Sequence, residues 1–382
     1  VDQGGGPATQ DAAGHGTHTS SLACAASNNG VGLAGTGYDC RLIVERTDFS
    51  ETSIASSIVD ATDNGADAIS MSFGDDGSTA ASYSIRAAVD YAFDREVVLV
   101  AAAANDPVEE QGQPANMLQP TGTGPDLGAG KGLSVTAANF ANARTSFAGR
   151  GTQISLAAYG SFGAAGPRGL FAAFPGNLTE IETGLSGNPP TPPCPSCRTT
   201  FVGDSRYAYL LGTSAATPQV AAIAALVKRL NPDLSASEIV RLLKETATNP
   251  GWEPELGWGI VDAGAAVEAA RKIDRVAPTS RLRAPRRSGS PNFRLTWKGS
   301  DPAGPGLIPS GVGRYEVFAA SSQSRDGRFR RIAKTKGQSV RFTGKPGARY
   351  RFYTVAIDRS GNRESKPSRA DASTRVAQSS TR

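Results

Sequence analysis

Histidine (2), methionine (2), tryptophan (3) and cysteine (4) are all scarce in this chain of 382 residues. Four cysteines are too few for a scaffold held together by bridges instead of a core. They fall into two local pairs, Cys24/Cys40 and Cys194/Cys197. Low, even usage of this kind suits a secreted protein whose large core does most of the stabilising. No apolar run approaches the roughly eighteen residues that cross a bilayer, so no membrane span is expected. No repeat of about 20–50 residues is visible, which excludes solenoids and propellers. With 39% hydrophobic and 20% charged residues the chain is neither disordered nor a coiled coil. Its 44 Gly and 24 Pro argue against a helical bundle. A secretory leader is also missing: Val1-Asp2-Gln3-Gly4-Gly5-Gly6 is polar and glycine-rich, as if cut from something longer.

What is present points to two domains. The length is too great for one ordinary domain, and the net charge of +5 hides an asymmetry. Residues 276–382 hold 23 Lys/Arg and 6 Asp/Glu, a net of +17, which leaves −12 on residues 1–275. Two pieces of opposite charge present two different surfaces. The boundary is placed at a linker near Arg275-Val276-Ala277-Pro278.

Residues 1–275 alternate strand and helix signals. Ser53–Asn64 has helical spacing and stops at Gly65. Ala68–Gly74 reads as a short strand, and Ser82–Phe93 as the next helix. Val97–Ala103 is a continuous apolar run, the signature of a strand buried on both faces of a parallel sheet. Strands are expected at Leu133–Ala138 and Gln153–Ala158, and helices at 214–230 and 236–247, the second opened by the capping box Ser235-Ala236-Ser237-Glu238. The expected fold class is therefore α/β, a mostly parallel sheet with helices on both faces. Segments 106–131 and 161–209, rich in Gly, Pro, Ser and Thr, read as inserted surface loops. In 276–382, period-two runs such as Phe293–Trp297, Arg314–Phe318 and Arg349–Val355 predict a small all-β sandwich.

Both histidines lie in Gly14-His15-Gly16-Thr17-His18. Histidine is the side chain best suited to pass a proton near neutral pH. Gly212-Thr213-Ser214-Ala215-Ala216-Thr217-Pro218 precedes an apolar helix, so Ser214 meets unpaired backbone N–H groups, a setting for an attacking oxygen. Alone, it would equally be an ordinary helix cap. Asn105 follows the apolar strand Val97–Ala103, at the sheet edge where ligands of open α/β sheets bind.

Taken together and in this order, Gly14–His18, Ser70-Met71-Ser72-Phe73-Gly74, Ala101–Asn105 and Gly212–Pro218 resemble the motifs of the subtilisin-like serine proteases (subtilases). Gly257–Ala263 resembles their closing motif, and the resemblance covers roughly residues 8–270. It implies Ser214 as nucleophile, His15 as general base, and Asn105 with the Ser214 N–H as oxyanion donors. It implies Ser72, Phe73, Gly74, Ala102, Ala103 and Ala104 as edges that hold a peptide substrate as an added strand. His18 matches the motif's second histidine and is expected to be structural.

Two departures stand out. Only fourteen residues precede His15, and neither Asp2 nor Asp11 has an apolar strand before it. The orienting aspartate is therefore expected to be missing, Asp11 matching an acidic position just before the histidine motif. Ala104 stands where the family has glycine, which would narrow the primary specificity pocket. The run Ser27–Leu33 resembles a subtilase calcium loop, with Ser27, Asn29, Val31 and Leu33 as oxygen donors for a structural Ca²⁺; the chemistry itself requires no cofactor. Cys194-Pro195-Ser196-Cys197 lacks a second ligand pair at zinc spacing and reads as a small disulfide loop. Residues 278–376 look similar to a fibronectin type III domain, with Trp297 as its core tryptophan. The expected function is a secreted, bacterial serine endopeptidase acting on polypeptides. The alternative is a catalytically impaired remnant that binds or adheres through the basic domain. Its charge suits anionic wall polymer or polysaccharide, while nucleic acid is not the expected partner.

Overall fold

The apolar run around Leu99 becomes a strand, Val98–Ala102, every residue of which is buried. In the computed structural model, which describes residues 2–3, 10–75, 77, 82–163, 168–186, 192–366 and 369–378, the chain forms two compact units, Val1–Ala269 and Ala270–Arg382. The order in the first is β1 (Asp2–Gln3), α1 (His15–Cys24), β2 (Arg46–Thr47), α2 (Glu51–Asp63), β3 (Ala68–Met71), α3 (Tyr83–Phe93), β4 (Val98–Ala102), α4 (Ala115–Leu118), β5 (Gly132–Ala138), β6 (Leu156–Tyr159), β7 (Leu170–Ala173), α5 (Glu180–Thr183), β8 (Arg198–Phe201), β9 (Asp204–Leu210), α6 (Thr213–Leu230), α7 (Ala236–Glu245) and α8 (Ala263–Arg271).

Strands β3-β4-β5-β6 form a parallel sheet with Met71 opposite Ala101 and Ala102 opposite Val135. Val97, Leu99 and Ala101 join one apolar cluster with Ile54 and Ile58 of α2 and Ile85 and Val89 of α3. Side chains alternate across a strand, so Val98 and Val100 face the other side, where α6 packs across the sheet. The helices start where serine side chains can accept their free N–H groups: Ser50 from Ser53, Ser82 from Ile85, Ser235 from Glu238. Each such cap stabilises its helix by about 1 kcal/mol.

Segment 161–209 departs from its expected form. It folds as an antiparallel sheet in the order β7-β9-β8, its strands carrying a cluster of Phe171, Phe201, Tyr207 and Tyr209. Arg198 holds it from within, pairing with Glu182 at 2.7 Å and donating to the carbonyls of Pro175, Asn177 and Ser205. The proline-rich part at 188–191 lies outside the described residues. Segment 106–131 is likewise no simple surface loop: Gln111, Met117 and Leu118 are buried in it. Both cysteine pairs are disulfides, Cys24–Cys40 and Cys194–Cys197.

The second unit comprises β10 (Thr279–Arg283), β11 (Arg287–Ser288), β12 (Asn292–Ser300), β13 (Val312–Ser321), β14 (Arg330–Thr335), β15 (Ser339–Thr343), β16 (Arg349–Asp358) and β17 (Ala372–Val376). They make two sheets, β10-β12-β15 and β11-β17-β16-β13-β14. Leu282, Leu295 and Trp297 of the first share one core with Tyr315, Val317 and Phe352 of the second.

Candidate active site

Helix α1 begins at the histidine motif because of one glycine and one carboxylate. Gly14 has φ +86°, and a Cβ there would lie 2.4 Å from Phe174, so no other residue fits the turn. The Asp11 carboxylate accepts the N–H of Gly14 (2.8 Å), the N–H of Thr17 (2.6 Å) and the Thr17 hydroxyl (2.7 Å). A negative charge at a helix N-terminus is favourable. His15 is thus the first helical residue. Burial lowers the pKa of its imidazole, and the charge of Asp11 pulls it partly back. His18, one turn on, is 1% exposed and donates through Nε2 to the Leu170 carbonyl at 2.9 Å. Burial brings its pKa down to about 4. That bond ties α1 to β7, a structural role.

Ser214 is the second residue of α6. Before it, Gly212 has φ +146°, and the Asn105 amide and the Ser214 N–H both lie within 3.6 Å of where its Cβ would be. Asn105 Oδ1 accepts from the Thr213 N–H (2.8 Å) and hydroxyl (3.0 Å). The same hydroxyl donates to the Ala103 carbonyl at 2.6 Å. This clasp occupies the oxygen of the amide and leaves Nδ2 available beside the Ser214 N–H. The Ser214 hydroxyl donates to the Ser72 carbonyl at 3.0 Å, so the nucleophile candidate touches one expected cleft edge directly. Among the described residues no hydrogen bond joins His15 to Ser214. Such bonds are often formed only once substrate is bound.

The two expected cleft edges differ. Ser72, Phe73 and Gly74 directly follow β3 and lie outside any regular element. Ala102, Ala103 and Ala104, in contrast, spend their backbone internally. Ala102 is in register with Val135, and the Ala103 N–H goes to the Val135 carbonyl. The Ala104 N–H goes to Gln111 Oε1, and its carbonyl accepts from Gly149. Both N–H groups, of Ala103 and of Ala104, therefore already have partners within the protein. Phe49, beyond β2, was not legible in sequence. It has φ +63° and meets Phe73 edge-on at 5.5 Å between ring centres.

Asp2 also departs from expectation, because it lies on a strand: β1 pairs in parallel with β2, Asp2 opposite Arg46. The expected calcium donors Ser27, Asn29, Val31 and Leu33 line a hollow of about 270 Å³ together with Phe201. Asn28, Gly30 and Gly32 have φ between +58° and +71°, and Asn29 Oδ1 accepts the Val31 N–H at 2.9 Å. The carbonyls of Ser27, Val31 and Leu33 accept no hydrogen bond among the described residues. Those hard oxygens suit Ca²⁺, though the loop contributes no carboxylate. In the second unit, Asp274, Asp301 and Asp358 bring one carboxylate oxygen each within 4.8 Å of the others. Burial and the neighbouring negative charges raise the pKa of Asp301.

Residues 2–259 match the family model described as the Subtilase family. Subtilisin Savinase of Lederbergia lenta is 31% identical over 267 residues, covering 69% of this chain and 80% of that protein. M-protease of Shouchella clausii is 31% identical over 267 residues, with 69% and 57% covered. An extracellular protease of Xanthomonas campestris is 32% identical over 274 residues, with 67% and 40% covered, so the match spans less than two thirds of either of these two relatives. A solved protease of Pseudoalteromonas arctica superposes with a TM-score of 0.53 at 28% identity, covering 67% of this chain and 70% of that one. No helix among the described residues is long and apolar enough to cross a membrane. With the ordered motifs, the parallel sheet and the family match over most of its length, the chain belongs to the subtilase family.

Proposed function

We propose that the chain is a serine endopeptidase that hydrolyses peptide bonds through an acyl-enzyme on Ser214. The observation that carries this reading is the Thr213–Asn105 clasp, which holds an amide donor beside the Ser214 N–H. Neutral His15 would take the Ser214 proton as Oγ attacks the carbonyl carbon. Asn105 Nδ2 and the Ser214 N–H would receive the oxyanion, and losing one such donor costs about 10²–10³ in kcat. The proton then passes to the leaving amine, and water repeats the sequence to release the acid. Ala104, partly exposed beyond β4, would add a methyl to the primary pocket and favour small or medium aliphatic side chains over aromatic ones. Ca²⁺ on the 27–33 loop would be structural. The second unit, read as fibronectin type III-like, would attach the enzyme to anionic polysaccharide outside the cell.

The orienting carboxylate is where the reading divides. Spacing in the sequence argues that the triad lacks one. The pairing of β1 with β2 and a family match that starts at residue 2 favour Asp2. One experiment addresses both levels. A serine-directed phosphonate should label Ser214, and labelling that survives Ser214→Ala removes the assignment. Asp2→Asn should lower kcat about 10⁴-fold if Asp2 orients His15. An unchanged kcat leaves a Ser–His pair without a carboxylate.

A further inference from the structure

The residue before Asn105 is held from behind by a side chain outside the quoted motifs. Gln111 is 1% exposed and uses both polar atoms of its side chain. Its Oε1 accepts the Ala104 N–H at 2.9 Å. Its Nε2 donates to the carbonyls of Val108 (3.2 Å) and Arg150 (3.0 Å), and its own N–H donates to Gln153 Oε1. The Ala104 carbonyl accepts the Gly149 N–H at 2.9 Å, and a Cβ on Gly149 would lie 2.2 Å from Gln111 Oε1, so a side chain there would displace the Gln111 amide. Both main-chain groups of Ala104 are therefore fixed by Gln111 and the turn that it fills. Asn105 consequently has two anchors: the Thr213 clasp on its side chain, and Gln111 through the adjoining backbone.

We propose that Gln111 is a positioning residue that holds the Ala104–Asn105 segment so that Asn105 Nδ2 points at the developing oxyanion. The proposal rests on the reading of Asn105 as the oxyanion donor. A preorganised donor acts through its geometry, and small displacements of a group in the site are costly in rate. Without Gln111 the Ala104 N–H would be left without its partner, and the segment would shift to recover one. A shift there turns Nδ2 away in the transition state, while the Ser214 hydroxyl keeps its own contact with the Ser72 carbonyl, so the loss falls on kcat.

The test is a double-mutant cycle on the full chain, reading kcat and KM on a peptide substrate. Gln111→Met keeps the shape and removes the hydrogen bonds. It should lower kcat about ten- to hundredfold, less than the loss of a donor outright, with KM within about twofold. In an Asn105→Ala background the same substitution should change kcat less than about twofold, because there is no donor left to position. A residue with a general structural role would lower kcat alike in both backgrounds, and that result overturns the proposal. If the Met variant does not fold by circular dichroism, Gln111→Asn, one methylene too short to reach Ala104, carries the same expectations. A kcat unaffected by Asn105→Ala removes the oxyanion reading and this proposal with it. A kcat lowered by Asn105→Ala but not by Gln111→Met removes only the positioning role.

Discussion

Asn105 and His15 are both shaped by what other residues deny them. Asn105 cannot turn its oxygen outward because Thr213 occupies it, and His15, partly exposed, keeps a proton less easily than a free imidazole because it is largely desolvated. The second point has a sign that can be measured. A general base must be neutral, and a lowered pKa keeps it neutral to lower pH. The acid limb of kcat/KM should therefore lie below the ordinary histidine value of about 6.5, and Asp11→Asn, which removes the opposing charge, should move it lower still. A limb at or above 6.5 in the wild type contradicts the burial of His15. The motifs that hold His15, Ser214 and Asn105 were legible as candidates because each is a short local pattern. Gln111 was not, since its partners are Ala104, Arg150 and Gln153, and no spacing in the sequence announces a contact across 39 or 42 residues.

At the scale of elements, strand β4 was legible because burial on both faces leaves an unmixed apolar run. The sheet β7-β9-β8 was not, because Arg198-Thr199-Thr200-Phe201 is mostly polar and is held by a side-chain clamp. Glu182 is buried, and the Arg198 guanidinium holds its pKa down to about 2. An acid whose folded pKa is depressed contributes stability that is present above about pH 4.5 and lost as pH falls toward 2. Arg198→Ala should destabilise the protein by about 3 kcal/mol at pH 7, the low end for breaking a buried pair because Arg198 is itself partly exposed. The difference in Tm between wild type and variant should shrink as pH falls from about 4.5 toward 2. A variant within error of wild type at pH 7 would show that the aromatic cluster alone holds this sheet.

For the whole molecule, the segregation of charge is sharper in three dimensions than in sequence. On the outer face of β10-β12-β15, Arg281 stands opposite Lys298 and Arg294 opposite Arg341, all four exposed and none with a carboxylate partner among the described residues. On the other sheet, by contrast, Arg331 and Arg363 pair with Glu316, and Arg330 with Asp326. Like charges placed directly opposite one another cost a fraction of a kcal/mol per pair. The face also offers no exposed aromatic ring, since Phe293 and Trp297 turn into or against the core, so it lacks the stacking platform that single-stranded nucleic acid uses. An anionic polysaccharide needs only the charges. The full chain should bind immobilised polygalacturonate at low salt and release it as the screening length falls from about 10 Å at 0.1 M to about 3 Å at 1 M salt. Changing Arg281, Arg294, Lys298 and Arg341 to Gln should abolish retention and, by removing two repulsive cross-strand pairs, leave the Tm equal or higher. Changing Arg330 and Arg331, whose charges are already neutralised by acids, should leave retention nearly intact. Equal losses from both sets would mean that the polymer responds to net charge alone, and the face would then have no special part in binding.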